Sequence, residues 1–469
     1  KKKKEVDNSS LQELGFQVMG RNHVNSEIED AIEKYAKKRK SNKKEIESKN
    51  IRRFFCKEFF DRISYGFGSQ QFINILFFHT GASFFTIGMI NGIRVILNLI
   101  ISFIVDEYSK IKTVSRKFIG ATGIIFGFSF IIMAMARLWH SVPLFIFALL
   151  IGSIGAVSYG ELYQKLFRDI MKRERSNLLR NISHYGLIIT GVSIVLGGYI
   201  MDKFPATGTL VSFLGYEFRL FGYFIAFEIA AISSILAGYF LAFLKEKHVS
   251  SVGRASILTQ INIRMQEIKK NVPVLITNKV ILTLFIASLI TGLVQTLANS
   301  FYGIYLYETF KNGYFKGFAN IAVIFLIAIM TSFFSPYIVR KNARDYGKLP
   351  MMVFGTLLMA IMPLTYYYNP NLVSIAVGTL IGFIGAAIIG VAHGLITTDI
   401  MSENERKIYF SSYSILIIIP YLIIVPLGSY FAQVYGLKNL FLFLGLILAL
   451  IVVPLYLAII VLYNKKEKI

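Results

Sequence analysis

Polar and apolar residues are segregated along this chain. Roughly the first 57 residues are polar and basic. Apolar runs of 18 residues or more follow, the length at which a helix crosses the hydrocarbon of a bilayer. Twelve such runs stand out, at 58–79, 83–105, 117–138, 143–165, 183–202, 219–244, 279–303, 317–339, 348–368, 371–395, 408–431 and 439–463. The connections between them are short, apart from 245–278. The pattern predicts an all-α polytopic membrane protein of twelve transmembrane helices in two sets of six. The expected domains are a basic N-terminal extension (1–53), a six-helix bundle (54–244), a central loop (245–278), and a second bundle with a short basic tail (279–469).

The polar segments carry helical signals of their own. Ser26–Lys40 reads SEIEDAIEKYAKKRK, with Ser26 as N-cap, Glu29 three residues on, and basic residues last, as the helix dipole favours. This extension is either a solvated basic tail near anionic headgroups or a regulatory element. In the central loop Ile257, Ile261 and Met265 recur every four residues, the signature of an amphipathic surface helix.

The two sets of six repeat one another. LIGSIGAVSYGELYQKLFRDIM (150–171) and LIGFIGAAIIGVAHGLITTDIM (380–401) share Gly152/Gly382, Gly155/Gly385, Ala156/Ala386, Gly160/Gly390 and Asp169/Asp399 without a gap. Further echoes keep the same order. Gln70-x-x-x-Asn74 matches Gln295-x-x-x-Asn299, Gly88-x-x-Asn91 matches Gly317-x-x-Asn320, and Gly197-Gly198-Tyr199 matches Gly428-Ser429-Tyr430. An even number of spans per half makes this a parallel duplication about an axis along the membrane normal. Small residues at such spacing let helices approach closely in lipid.

Composition sharpens the picture. Hydrophobic residues make up 55% of the chain and charged residues 16%, with a formal net charge of +23. Set against twelve spans, 23 Lys/Arg fall in connections on the side of the termini and six on the other side. That bias is the positive-inside rule, so both termini are expected in the cytoplasm of a cell-membrane protein, with lipids rather than nucleic acid as partners. The single cysteine, Cys56, excludes an intramolecular disulfide and a cysteine-rich metal site. There is no phosphate-binding glycine loop, no cofactor or metal-ligand spacing, and no enzyme constellation.

HTGASFFTIGMINGIRVILNLIISFIVDEYSK (79–110) and GGYIMD (197–202) carry a resemblance. Over about residues 54–465 the sequence resembles the major facilitator superfamily of secondary transporters. The family signature after the second span has Gly, Asp, then Gly and basic residues. Here Asp106, Lys110 and Lys112 are in place, while Ser102 and Ser109 stand where glycines are usual. A Gly-Pro pair common in antiporters of the family is replaced by Ser193-Ile194. The resemblance implies alternating access to a site between the halves, with the first and seventh spans facing each other across it.

Polar groups at mid-membrane are costly and are therefore candidates for function. Tyr65, Gln70 and Asn74 on the first span, and Thr291, Gln295 and Asn299 on the seventh, suit a hydroxyl- or amide-rich solute or else interhelical bonding. Arg94 could bind an anion or neutralise Glu161 or Glu228. Those two carboxylates are the candidates for carrying a coupling proton, with a Glu161–Lys165 ion pair as the structural alternative. His393 could titrate or pack. Asp61-Arg62 is expected to snorkel to the interface. Asp106 with Lys110, Asp169 with Arg175, and Asp399 with Arg406 are candidates for a charged gate, or simply solvated loop charges. The expected function is proton-coupled transport of a small polar organic solute. The alternatives are an exporter of amphipathic or cationic compounds and a non-transporting receptor with the same fold.

Overall fold

The computed structural model describes residues 48–111, 116–170, 175–205, 207–213, 216–244, 257–311, 317–368 and 371–467. Ser26–Lys40 lies outside them. The chain divides into a unit of residues 1–53, in which 48–53 are helical, and a larger unit of residues 54–469.

Its first predicted span is two helices, α1 (54–67) and α2 (Gln70–His79). The chain breaks at Gly68-Ser69, where the Ser69 hydroxyl accepts from Phe72 N and caps α2. Then come α3 (Phe84–Ile111), α4 (Arg116–Leu138), α5 (Val142–Ile170) and α6 (Arg175–Lys203). An antiparallel hairpin follows, β1 (Thr209–Phe213) with β2 (Tyr216–Leu220), Thr209 opposite Leu220. It takes the first residues predicted for the sixth span, so α7 runs Gly222–Ala242. The central loop holds α8 (Ile257–Thr277), on which Ile261 is half-buried and Met265 exposed.

The second half contains α9 (Lys279–Phe310), α10 (Gly317–Tyr346), α11 (Lys348–Tyr368) and α12 (Leu372–Ile400). The predicted eleventh span is α13 (Glu403–Leu416), opened by a Ser402/Glu405 capping box, followed by α14 (Ile418–Tyr435). The last is α15 (Leu437–Ile447), a π turn at Leu448–Val452, and α16 (Val453–Glu467). Pro454 lacks an N–H, which accounts for the slack turn before it. Ten helices among the described residues are long and apolar enough to cross a membrane. The predicted first and eighth spans are the two outside that set. The first is broken in two, and the eighth qualifies only as the shorter apolar stretch Gly317–Thr331.

The repeated glycines act mainly within each half. A Cβ on Gly155 would lie 2.9 Å from Phe126 N on α4, and one on Gly385 would lie 2.6 Å from Met359 N on α11. The middle of each stripe therefore holds α5 against α4 and α12 against α11 at backbone contact. The last glycine of each stripe behaves differently: Gly160 and Gly390, and Gly394 beside it, meet no atom within 4 Å.

Between the halves, α3 packs on α14 and α6 on α10. These are equivalent pairs under the internal repeat. Gly88 seats against Ser429, Gly92 against Val425, and Gly198 against Phe318 and Ala322. All lie toward the face where α2 ends and α3 begins, designated outer. The molecule is thus sealed at its outer face, and open space lies deeper, at Gly160, Gly390 and Gly394.

The two kinds of glycine separate by substitution. Gly385→Ala is expected to cost about 1–3 kcal/mol through backbone overpacking. Gly390→Ala should be neutral or slightly stabilising, because alanine favours the helix. Thermal unfolding of both variants in one detergent reads the difference.

Candidate functional site

The outer seal rests on acceptors that each half lends to the other. Asp202, at the end of α6, accepts from Phe318 N (2.9 Å) and Ala319 N (2.7 Å) in the first turn of α10. A carboxylate at a helix N-terminus satisfies unpaired donors and meets the positive end of the dipole. Gly317, with φ +37°, lets the two elements meet; a Cβ there would lie 2.7 Å from Tyr307. The repeat places Gln433 where Asp202 stands, and Gln433 Oε1 accepts from Phe84 N (2.9 Å) at the head of α3. The two caps are counterparts, although the one on α3 sits a turn earlier.

Beneath them the first span docks on α9. Gln71 Nε2 donates to the Asn299 carbonyl (3.3 Å), and its Oε1 accepts from Gly303 N (3.0 Å). Asn299 and Gly303 are the i, i+4 partners of one turn, so the amide reads the helix ladder itself. A Cβ on Gly303 would lie 2.7 Å from Gln71 Oε1. Asn74 Nδ2 adds bonds to the carbonyls of Asn299 and Ser300, both at 3.2 Å. Asn299 therefore takes part through its backbone, and its side chain is exposed.

At mid-bundle the polar side chains largely satisfy one another. Gln70 Nε2 donates to Asn74 Oδ1 (2.8 Å) and Asn91 Oδ1 (3.3 Å). Asn91 Nδ2 donates to Asn74 Oδ1 (3.2 Å) and Ser300 Oγ (3.0 Å). Arg94 is gripped from two sides. Its Nε donates to Ser153 Oγ (2.8 Å), and its Nη1 to Gln70 Oε1 (2.9 Å) and Asn91 Oδ1 (3.2 Å).

Deeper still, the parallel helices α3 and α5 form a ladder of constant register. Arg94–Ser153 is its first rung, Ser102 Oγ to Glu161 Oε1 (2.8 Å) its second, and Lys165 Nζ to Asp106 Oδ1 (2.9 Å) its third. Lys165 thus serves Asp106, and Glu161 has no cationic partner among the described residues. Among the described residues the second half shows no such ladder. At the equivalent register α10 and α12 carry Val323 with Phe383, Thr331 with Val391, and Ser335 with Leu395.

Hydroxyls and rings take its place there. Tyr413 donates to the Ser288 carbonyl (3.3 Å), Thr296 donates to Tyr421 Oη (3.4 Å), and His393 Nε2 lies 3.3 Å from Tyr409 Oη. Thr291 bonds back to Ala287, and Gln295 reaches only Met359 Sδ (3.4 Å).

Other predicted residues lie apart from this core. Tyr65 packs against Phe126 (ring centroids 6.0 Å), and Glu228 sits half-buried on α7 without a polar partner among the described residues. Asp399 pairs with Lys348 at the head of α11, while Arg406 reaches Thr398 (3.5 Å). Of Asp169, Arg175 and Lys110 the structure describes the helical backbone only.

Asp61 does not snorkel. It is 5% exposed, bonded by Lys57 (2.7 Å) and Tyr159 (3.1 Å), and Lys57, 3% exposed, also meets Glu58 (2.9 Å) and the Tyr163 ring. Burial of a charged group requires paired partners, and this cluster supplies them from the neighbouring turn and from α5. Sequence reasoning also passed over Gln71, Asn91 as a site residue, Ser153 and the tyrosines of α13 and α14. The doublet Gln70-Gln71 and the Asn91/Asn320 echo were the available signals.

No protein-family model and no curated protein matches the chain. Solved structures do. A point mutant of the nucleoside transporter NupG aligns with TM-score 0.67 at 13% identity, over 87% of this chain and 99% of that one. Tetrameric PepTSo2 gives 0.63 at 14%, over 89% and 99%. The chain has the major facilitator fold. A bacterial homologue of the iron transporter ferroportin, in an inward-facing state, gives 0.62 at 13%, over 88% and 98%. These likenesses extend over both halves and show the fold alone.

Asn91 is the hub of that interior. Asn91→Leu leaves Arg94, Asn74 and Ser300 each short of a partner, so it is expected to lower stability by about 1–3 kcal/mol. Thermal or urea unfolding in detergent checks it, and an unchanged midpoint would mean the hub is not holding the network.

Proposed function

We propose that this protein is a secondary active transporter of a small polar organic solute, with both termini in the cytoplasm. The observation that carries the reading is closure of the outer face above open space, among the described residues. Two repeat-related helix pairs, α3/α14 and α6/α10, are sealed and cross-capped at the outer face, while Gly160 and Gly390 face open space deeper in. Two like-built halves closed at one end can rock about a central site. Solved structures of similar fold include a nucleoside transporter, a bacterial homologue of the iron transporter ferroportin, and a POT family transporter in complex with 5-aminolevulinic acid, which supports the same reading.

The solute site is assigned to the level of Arg94, Gln70 and Asn74 on one side and Thr291, Gln295 and His393 on the other, with Tyr65 at its margin. Asp106–Lys165 and Lys348–Asp399 are ion pairs within single halves in this state. In the opposite state Asp106, Asp169 and Asp399, with Lys110, Arg175 and Arg406, are the charges at hand to close the inner face.

Coupling to protons is assigned to Glu161 ahead of Glu228. Glu161 holds one hydroxyl donor, lacks a cation, and adjoins the open space at Gly160. In proteoliposomes loaded with a transported solute, Glu161→Gln should abolish accumulation driven by a proton gradient while leaving solute counterflow within about threefold of wild type. Loss of both would assign Glu161 to solute binding. Failure of carboxylates, phosphates, nucleosides and short peptides alike to show counterflow in wild type would remove the transporter reading.

A further inference from the structure

Arg94 presents an electrostatic problem that its own half does not solve. Its guanidinium is held at Nε and Nη1 by Ser153, Gln70 and Asn91, all neutral. Among the described residues no carboxylate lies within ion-pair distance of it. The neighbouring acids are engaged elsewhere: Glu161 accepts from Ser102, Asp106 pairs with Lys165, and Asp61 pairs with Lys57. The second half offers no counter-charge at the equivalent positions, where Val323 and Val391 stand.

The remaining nitrogen, Nη2, makes no hydrogen bond among the described residues, yet it is not among the buried atoms without a partner, and the residue as a whole is only part-buried. It opens onto space. A cation set between helices at mid-membrane, rigidly oriented and without a counter-ion, is costly unless something supplies one.

We propose that the transported solute is anionic, bearing a carboxylate or a phosphate that binds Nη2 of Arg94. The inference rests on the transporter reading and narrows it. Gln70 and Asn91 then act as positioning residues: their acceptor oxygens fix the guanidinium plane, and their donors are spent on Asn74 and Ser300. The amide stripe is thereby removed as a recognition surface for neutral solutes. A planar guanidinium suits an oxyanion better than an ammonium would. The hydroxyl-lined second half, with Tyr413, Tyr421 and Thr296, is left to meet the uncharged remainder of the solute.

The test is binding, read separately from transport. Purified full-length protein in neutral detergent is titrated with succinate, benzoate, glycerol phosphate, uridine and dialanine amide, and thermal unfolding is followed. Wild type should be stabilised saturably by members of the carboxylate or the phosphate arm, and which arm responds identifies the anion. Affinity should fall about 30-fold or more in Arg94→Gln and partly recover in Arg94→Lys.

Gln70→Glu guards against a merely unstable Arg94 variant, because it places a carboxylate at Nη1 and supplies the missing counter-charge. This variant gains the ion pair to Arg94 and gives up the Nε2 donations to Asn74 and Asn91, so it should keep a cooperative unfolding transition near that of wild type and lose anion binding. Anion binding that persists in Gln70→Glu or in Arg94→Gln would overturn the proposal, as would stabilisation by uridine or dialanine amide but by no anion. Saturable, Arg94-dependent anion binding without counterflow in proteoliposomes would instead count against the transporter reading and leave the anion site standing.

Discussion

Two transmembrane helices of this protein start on acceptors that belong to the other half. The α10 N-terminus is held by Asp202 and the α3 N-terminus by Gln433, at equivalent places in the repeat. A helix leaves its first backbone donors unpaired, so these caps tie the outer ends of the halves together alongside the packing. The glycine contacts at Gly88 and Gly198 become possible only at that separation. The Gln71 clamp on Asn299 and Gly303, and the Asn74–Asn91–Ser300 network, follow beneath. The two caps are unequal, one a charged acceptor with two bonds and the other a neutral acceptor with one. The α3/α14 side is therefore expected to part first when the seal opens.

Duplication supplies the frame and divergence supplies the chemistry. Both halves use the same glycine stripe to hold their fourth helix to their third. On that shared frame the first half builds a polar ladder from Arg94, Ser102, Glu161, Asp106 and Lys165, while the second carries no charge at the same register, where Val323, Thr331, Val391, Ser335 and Leu395 stand. Arg94 on one side and the hydroxyls of Thr296, Tyr413 and Tyr421 on the other give the two halves different chemistry, and it is this difference that the proposed solute site would use.

Much of the frame is legible in the sequence because its signals are periodic and long. Apolar runs mark the spans, and the Gly152/Gly382 and Gly88/Gly317 echoes mark the duplication. What escapes reading depends on direction. The stripe ending in Gly160 looks uniform as a sequence, yet Gly155 touches backbone and Gly160 touches nothing, since helix rotation decides which face a residue presents. Asn299 echoes Asn74, but its side chain points away and its carbonyl does the bonding. Gln71, one residue from the predicted Gln70, lies on the face that meets α9. Asp61 looked interfacial by position and is buried, because Lys57 and Tyr159 reach it. The break at Gly68-Ser69 and the β1–β2 hairpin are local choices that hydropathy does not resolve.

The central claim is that closure is one-sided, and thiol accessibility tests it most directly. Cys56 is the only cysteine, so Cys56→Ser gives a clean background for Gly390→Cys and Ser429→Cys. A membrane-impermeant maleimide is added from each side of oriented vesicles. The account predicts rapid labelling of the Gly390→Cys thiol from the side opposite the outer face, and protection of the Ser429→Cys thiol from the outer side. Labelling at position 429 from outside, with position 390 protected, would contradict it.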